Sequence, residues 1–74
     1  MNAAWKRKRD ASMKALQSSG LRARAPAGIR NNFGALETWL QQASRGEAGS
    51  GRPFSVAQRR VLGAASRVAS ESAQ

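Results

Sequence analysis

The stretch from 46 to 54, "GEAGSGRPF", puts three glycines and a proline within nine residues. No helix is expected to run through it, so it divides the second half of the chain into two segments. In the first, Phe33, Leu36, Leu40 and Ala43 recur at helical spacing and Trp39 widens the stripe. Asn31 or Asn32 stands where an N-cap belongs, and Gly46 is placed to end the helix in a left-handed C-cap. The second segment opens with "SVAQ", in which Ser55 can accept from the Gln58 amide while the Gln58 side chain reaches back. That is a capping box. Its stripe runs through Val61, Leu62, Ala65, Val68 and Ala69, with Arg60 and Arg67 two turns apart on the opposite face. The pattern predicts a helical hairpin over 31–74 that ends in a flexible tail. Phe33, Leu36, Trp39, Leu40, Val61, Leu62 and Val68 are expected in its seam.

Ahead of the hairpin, residues 3–18 predict a third helix, stopped by Gly20, with Trp5, Met13 and Leu16 as its large apolar side chains. "LRARAPAGIR" then alternates for four residues before Pro26 and Gly28. This reads as an extended connector over 19–30, without a partner strand. The fold class is therefore all-α, a basic arm of residues 1–30 joined to a helical hairpin. Seventy-four residues allow one small domain, in which folding buries only about 60% of the chain's surface. Leu and Val facing Ala make a thin core, and self-association would cover apolar surface that a lone hairpin leaves open.

Charge is distributed unevenly. Residues 1–30 carry Lys6, Arg7, Lys8, Arg9, Lys14, Arg22, Arg24 and Arg30 against Asp10 alone, which accounts for +7 of the net +9. Such an imbalance points to a polyanionic partner: nucleic acid, an anionic membrane surface or an acidic protein face. Ten arginines against three lysines suit phosphate forks and base stacking, although a GC-rich coding sequence yields the same bias.

"WKRKRD", residues 5–10, sets four consecutive cations near the start of the first helix. There the helix dipole opposes them, at about 0.3–1 kcal/mol each, and neighbouring like charges add repulsion. A polyphosphate would reverse the sign, so the arm is expected to fray alone and to order on nucleic acid. Trp5 has two readings: its indole stacks on an unpaired base, worth about 1–3 kcal/mol, or it docks on the hairpin. Arg22 and Arg24 form a second basic set with Arg30. In an extended connector those first two point to one side about 6.6 Å apart, near one phosphate step.

Several function classes find no footing. There is no cysteine and no histidine, so a disulfide framework and a zinc site are ruled out. No cofactor or metal is expected. Asp10, Glu37, Glu47 and Glu71 are scattered, with no His or Cys as base or nucleophile, so an enzyme is not expected. "GEAGSG" lacks the Lys and Ser/Thr that complete a phosphate-binding loop. "RPFSVAQRRVLGAASRV" could open a winged helix, but no recognition helix follows. The basic N-terminus has no apolar stretch behind it, and no apolar run is long enough to span a bilayer. A soluble, cytoplasmic protein without a membrane partner is the expectation.

The first 17 residues, "MNAAWKRKRDASMKALQ", resemble the arginine-rich arms of phage transcription antitermination proteins, through Ala4, Lys6, Arg7 and Arg9. The tryptophan here precedes the basic cluster, and no second arginine pair follows it. The resemblance implies a short basic helix that folds on RNA and acts at RNA polymerase. Taken together, the expected function is a small nucleic-acid-contacting regulator, with RNA favoured over DNA. Trp5, Lys6, Arg7, Lys8, Arg9, Lys14, Arg22, Arg24 and Arg30 are the expected nucleic-acid contacts. Trp39, Arg59 and Arg60 are the expected protein interface, with RNA polymerase the partner that the resemblance implies. A protein-binding inhibitor of a host machine and a small structural ribonucleoprotein component are the alternatives.

Overall fold

A computed structural model of the protein describes residues 3–46 and 52–71. Residues 47–51, from the expected inter-helix loop, and 72–74, from the expected tail, lie outside the described residues. Three helices account for most of the remainder: α1 (Ala3–Ser18), α2 (Phe33–Ser44) and α3 (Val56–Glu71). The fold is all-α.

The local signals act as the chemistry requires. Asn32 takes an extended backbone and its side chain accepts from Ala35 N at 3.1 Å, which caps α2. Gly46 closes the same helix at φ +79°, a conformation a side chain would strain. At the start of α3, Ser55 Oγ accepts from Gln58 N and Gln58 Oε1 accepts from Ser55 N, each at 3.0 Å. The capping box is complete.

The connector departs from the extended course expected for it. Residues Arg22–Arg24 and Ala27–Ile29 wind into two 3-10 turns, with Arg24 N bonded to Leu21 O and Ile29 N to Pro26 O. Burial explains the choice. Leu21 and Ala25 are 0% and 1% exposed, and a four-residue step over a tight turn directs both inward. An extended chain would have sent them, as alternating residues of like parity, to one side but too far apart to share one pocket.

One core holds all the segments together. Leu16, Leu21 and Ala25 pack with Phe33, Leu36, Leu40, Ala43, Leu62, Ala65 and Ala69, while Trp5, Met13, Ile29, Trp39, Phe54, Val61 and Val68 close its margin. Residues 3–30 thus share one core with the hairpin, and α3, with Leu62, Ala65 and Ala69 buried, is covered on two sides. α2 supplies one side and α1 the other. Small residues make this possible: Ala65 and Ala69 let both neighbours come close to α3.

The lengthwise antiparallel neighbour of α3 is α1. Trp5 Nε1 donates to Val68 O at 3.0 Å at one end, and Gln58 Nε2 donates to Ser19 O at 3.0 Å at the other. α2 packs on α3 as the two apolar stripes require. Gln41 Nε2 reaches Ser70 Oγ at 3.4 Å, and Phe33 meets the ring of Trp5. Among the described residues Val56 is the large apolar side chain left exposed, since α1 covers what a bare hairpin would show. No helix among the described residues is long and apolar enough to cross a membrane.

Candidate nucleic-acid interface

Ala, Lys, Arg, Met, Leu and Gln, all good helix formers, make up most of α1. Docking then sorts its side chains by face. Trp5, Arg9, Met13 and Leu16 recur at steps of four and three and turn toward the core margin, while Lys6, Arg7 and Lys14 are exposed.

Trp5 is held firmly by its surroundings. Its indole N–H bonds Val68 O, its ring meets Phe33 edge-on at 6.1 Å between centroids, and the Arg9 guanidinium lies 5.6 Å from its ring centre. The docking reading of Trp5 is the one its contacts support. Part of the repulsion expected in "WKRKRD" is offset within the fold. Lys8 Nζ meets Glu71 Oε2 at 3.3 Å and Arg9 Nε meets Asp10 Oδ1 at 3.2 Å. Both pairs are exposed, so each is worth at most about 1 kcal/mol, but they take Lys8 and Arg9 out of the unpaired set.

The second basic set is divided. Arg22 Nε donates to Arg30 O at 3.3 Å, and its Nη2 donates to Asn31 Oδ1. Arg30 Nε and Nη2 donate to Ala25 O and Ala23 O, each at 2.9 Å. These two guanidiniums satisfy connector carbonyls and hold the 3-10 turns. Arg24 leaves them. Its guanidinium carbon stacks 4.0 Å from the centre of the Phe54 ring, and Nη2 donates to Arg52 O. The paired spacing of Arg22 and Arg24 expected along a phosphate backbone does not form, because a tight turn sends alternate residues to different sides.

What the fold assembles instead is a pair of cationic rows. On α1, Arg7, Ala11 and Lys14 share one face at steps of four and three; on α3, Arg60, Ala64 and Arg67 do the same. Between the helices runs a groove of about 320 Å³ with Ala11, Ser12, Ala15, Val61, Ala64 and Ala65 on its walls and Arg60 at its edge. No carboxylate among the described residues lines it. Arg7, Lys14, Arg60 and Arg67 are exposed and make no ion pair or hydrogen bond among the described residues. Arg7 and Lys14 were visible as basic residues in the sequence, but their juxtaposition with Arg60 and Arg67 comes only from the antiparallel docking of α1 on α3.

Of the expected protein-interface residues, Trp39 is half-buried and packs against the core from α2, while Arg59 and Arg60 are exposed on the first turns of α3. Trp39 lies on α2 and the two arginines on α3. Arg60 belongs to the groove instead. Gln58 is a residue whose role was only half foreseen. The capping box is legible in the sequence, but the second bond of Gln58, to the carbonyl of Ser19 just past α1, depends on tertiary structure.

The sequence matches no protein-family model, and no curated protein or solved structure matches the chain.

Proposed function

We propose that the protein is a small nucleic-acid-contacting regulator that binds the phosphate backbone along the cationic rows of α1 and α3. The observation that carries this reading is the set of four cations, Arg7, Lys14, Arg60 and Arg67, unpaired among the described residues and carried by the two antiparallel helices whose groove, with Arg60 at its edge, no carboxylate among the described residues lines. Within each row the charges are about 10.5 Å apart, seven residues at 1.5 Å rise, so long side chains on each can reach different phosphates. The apolar floor lets a strand approach closely without desolvating a charged group. Lys6 adds to the field from the adjoining face of α1.

This reading differs from a fraying arm that orders on its target. The helix is already docked through Trp5 and Leu16, so binding costs little ordering entropy and its outer face is preorganised. RNA is the proposed polymer, and a cytoplasmic protein machine, RNA polymerase by resemblance, the proposed setting for its action. Anisotropy titrations of labelled single-stranded RNA, single-stranded DNA and duplex DNA test the proposal. RNA is expected to bind most tightly. The joint substitution Arg7→Gln, Lys14→Gln, Arg60→Gln and Arg67→Gln is expected to abolish binding at physiological salt while the helical signal is kept. Undiminished binding by that variant overturns the assignment of the site.

A further inference from the structure

A second basic feature lies at the end of the molecule where α1 stops and α3 begins. A cleft of about 700 Å³ opens there between Gly20, Ala23, Arg24, Arg52, Ser55 and Gln58. We propose that this cleft is a seat for a phosphate group, held by the guanidiniums of Arg24 and Arg52.

Three observations bear on it. Arg24 is preset: stacked on Phe54 and tied by one N–H to Arg52 O, its guanidinium keeps its other in-plane donors unpaired among the described residues. Such stacking leaves less side-chain entropy to lose when an anion is forked. Arg52 is uncommitted, since its guanidinium makes no ion pair or hydrogen bond among the described residues. Two arginines from segments 28 residues apart therefore line one cleft, and no carboxylate among the described residues lines it.

The walls of the cleft are fixed in place. Gln58 bonds Ser55 N with its Oε1 and Ser19 O with its Nε2, tying the last turn of α1 to the first turn of α3. Gly20, at φ +81°, turns the chain from α1 into the first 3-10 turn and puts no side chain over the opening. The start of α3 adds a smaller term. It has no acidic residue in its first turn, and its leading N–H groups have no intrahelical acceptor. The site rests on the two arginines, and the helix end strengthens what they hold.

The seat is distinct from the rows on α1 and α3, so its fate and theirs can be told apart. Inorganic phosphate and, separately, a short single-stranded oligonucleotide are titrated into the full chain at low salt, with backbone amide and arginine Nε–H NMR shifts followed. Saturable shifts at Ser55, Val56 and the Arg24 and Arg52 side chains are expected. Saturation by both probes identifies a nucleic-acid phosphate as the occupant, and saturation by inorganic phosphate alone identifies a free phosphate; both uphold the seat. Arg52→Gln, which leaves every bond of the fold in place, is expected to weaken binding there about tenfold, through removal of one charge-assisted hydrogen-bonding partner. The variant with Arg7, Lys14, Arg60 and Arg67 replaced is expected to retain the inorganic phosphate shifts. Absence of saturation with inorganic phosphate, or equal affinity for Arg52→Gln, overturns the proposal.

Discussion

Trp5→Ala separates the two roles a tryptophan beside a basic cluster can have. If the indole existed to stack on bases, its removal would weaken nucleic-acid binding and leave folding untouched. Its contacts predict the opposite. The indole N–H bond to Val68 O contributes about 0.5–1.5 kcal/mol. Its edge-on contact with Phe33 adds about 0.5–1.5 kcal/mol beyond area burial. With the partly buried ring area included, the loss comes to about 3 kcal/mol, the lower edge of the range for Trp or Phe truncated in a core. A domain of this length has roughly 4–11 kcal/mol in total, so the deficit is a large share of it. At about 4–8 °C per kcal/mol, Tm should fall by roughly 12–24 °C in a melt followed by far-UV circular dichroism. Trp5→Phe keeps most of the ring and loses the hydrogen bond, so it should cost about 1 kcal/mol and roughly 4–8 °C. RNA affinity of the folded Trp5→Phe protein should be unchanged. An unaltered Tm for Trp5→Ala, together with weakened RNA affinity, would refute the docking of α1 and restore the loose-arm account.

Two further substitutions test the joints of the fold. Gln58→Ala removes one bond of the capping box and the bond to Ser19 O, and should lower unfolding free energy in urea by about 1–3 kcal/mol; an unchanged midpoint would mean that the two helix ends are not tied. Trp39→Ala, at a half-buried position on the margin of the core, should cost about 2 kcal/mol in the same assay, less than a fully buried indole. Intact stability there would assign Trp39 to partner binding instead.

Much of the architecture was legible because it rests on local chemistry. The Asn32 cap, the Ser55–Gln58 box and the left-handed Gly46 each involve residues within three or four positions of one another, where sequence and geometry are almost the same information. The apolar stripes of α2 and α3 gave the core positions Phe33, Leu36, Leu40 and Leu62 for the same reason. What sequence could not supply was the partner of each face. α1 has few large apolar residues, yet Trp5 and Leu16 suffice to dock it because Ala65 and Ala69 let it approach α3 closely. Alternation in "LRAR" suggested extension, but burying Leu21 and Ala25 together required a turn, and that demand arises only once α1 and α2 are in place. The candidate site shows the same division. Its basic residues were plain in the sequence, whereas the pairing of Arg7 and Lys14 with Arg60 and Arg67, and of Arg24 with Arg52, joins segments far apart in the chain.

The salt dependence of RNA binding addresses the functional reading at its root. Log affinity is measured against log salt for the natural sequence and for the variant carrying glutamine at positions 7, 14, 60 and 67, with salt kept low enough that both bind measurably. Each phosphate that the variant no longer neutralises should flatten the slope by about 0.7–0.9, so four should reduce it by about 3. Parallel lines of equal slope would mean that these cations touch no phosphate, and the proposed interface would be wrong.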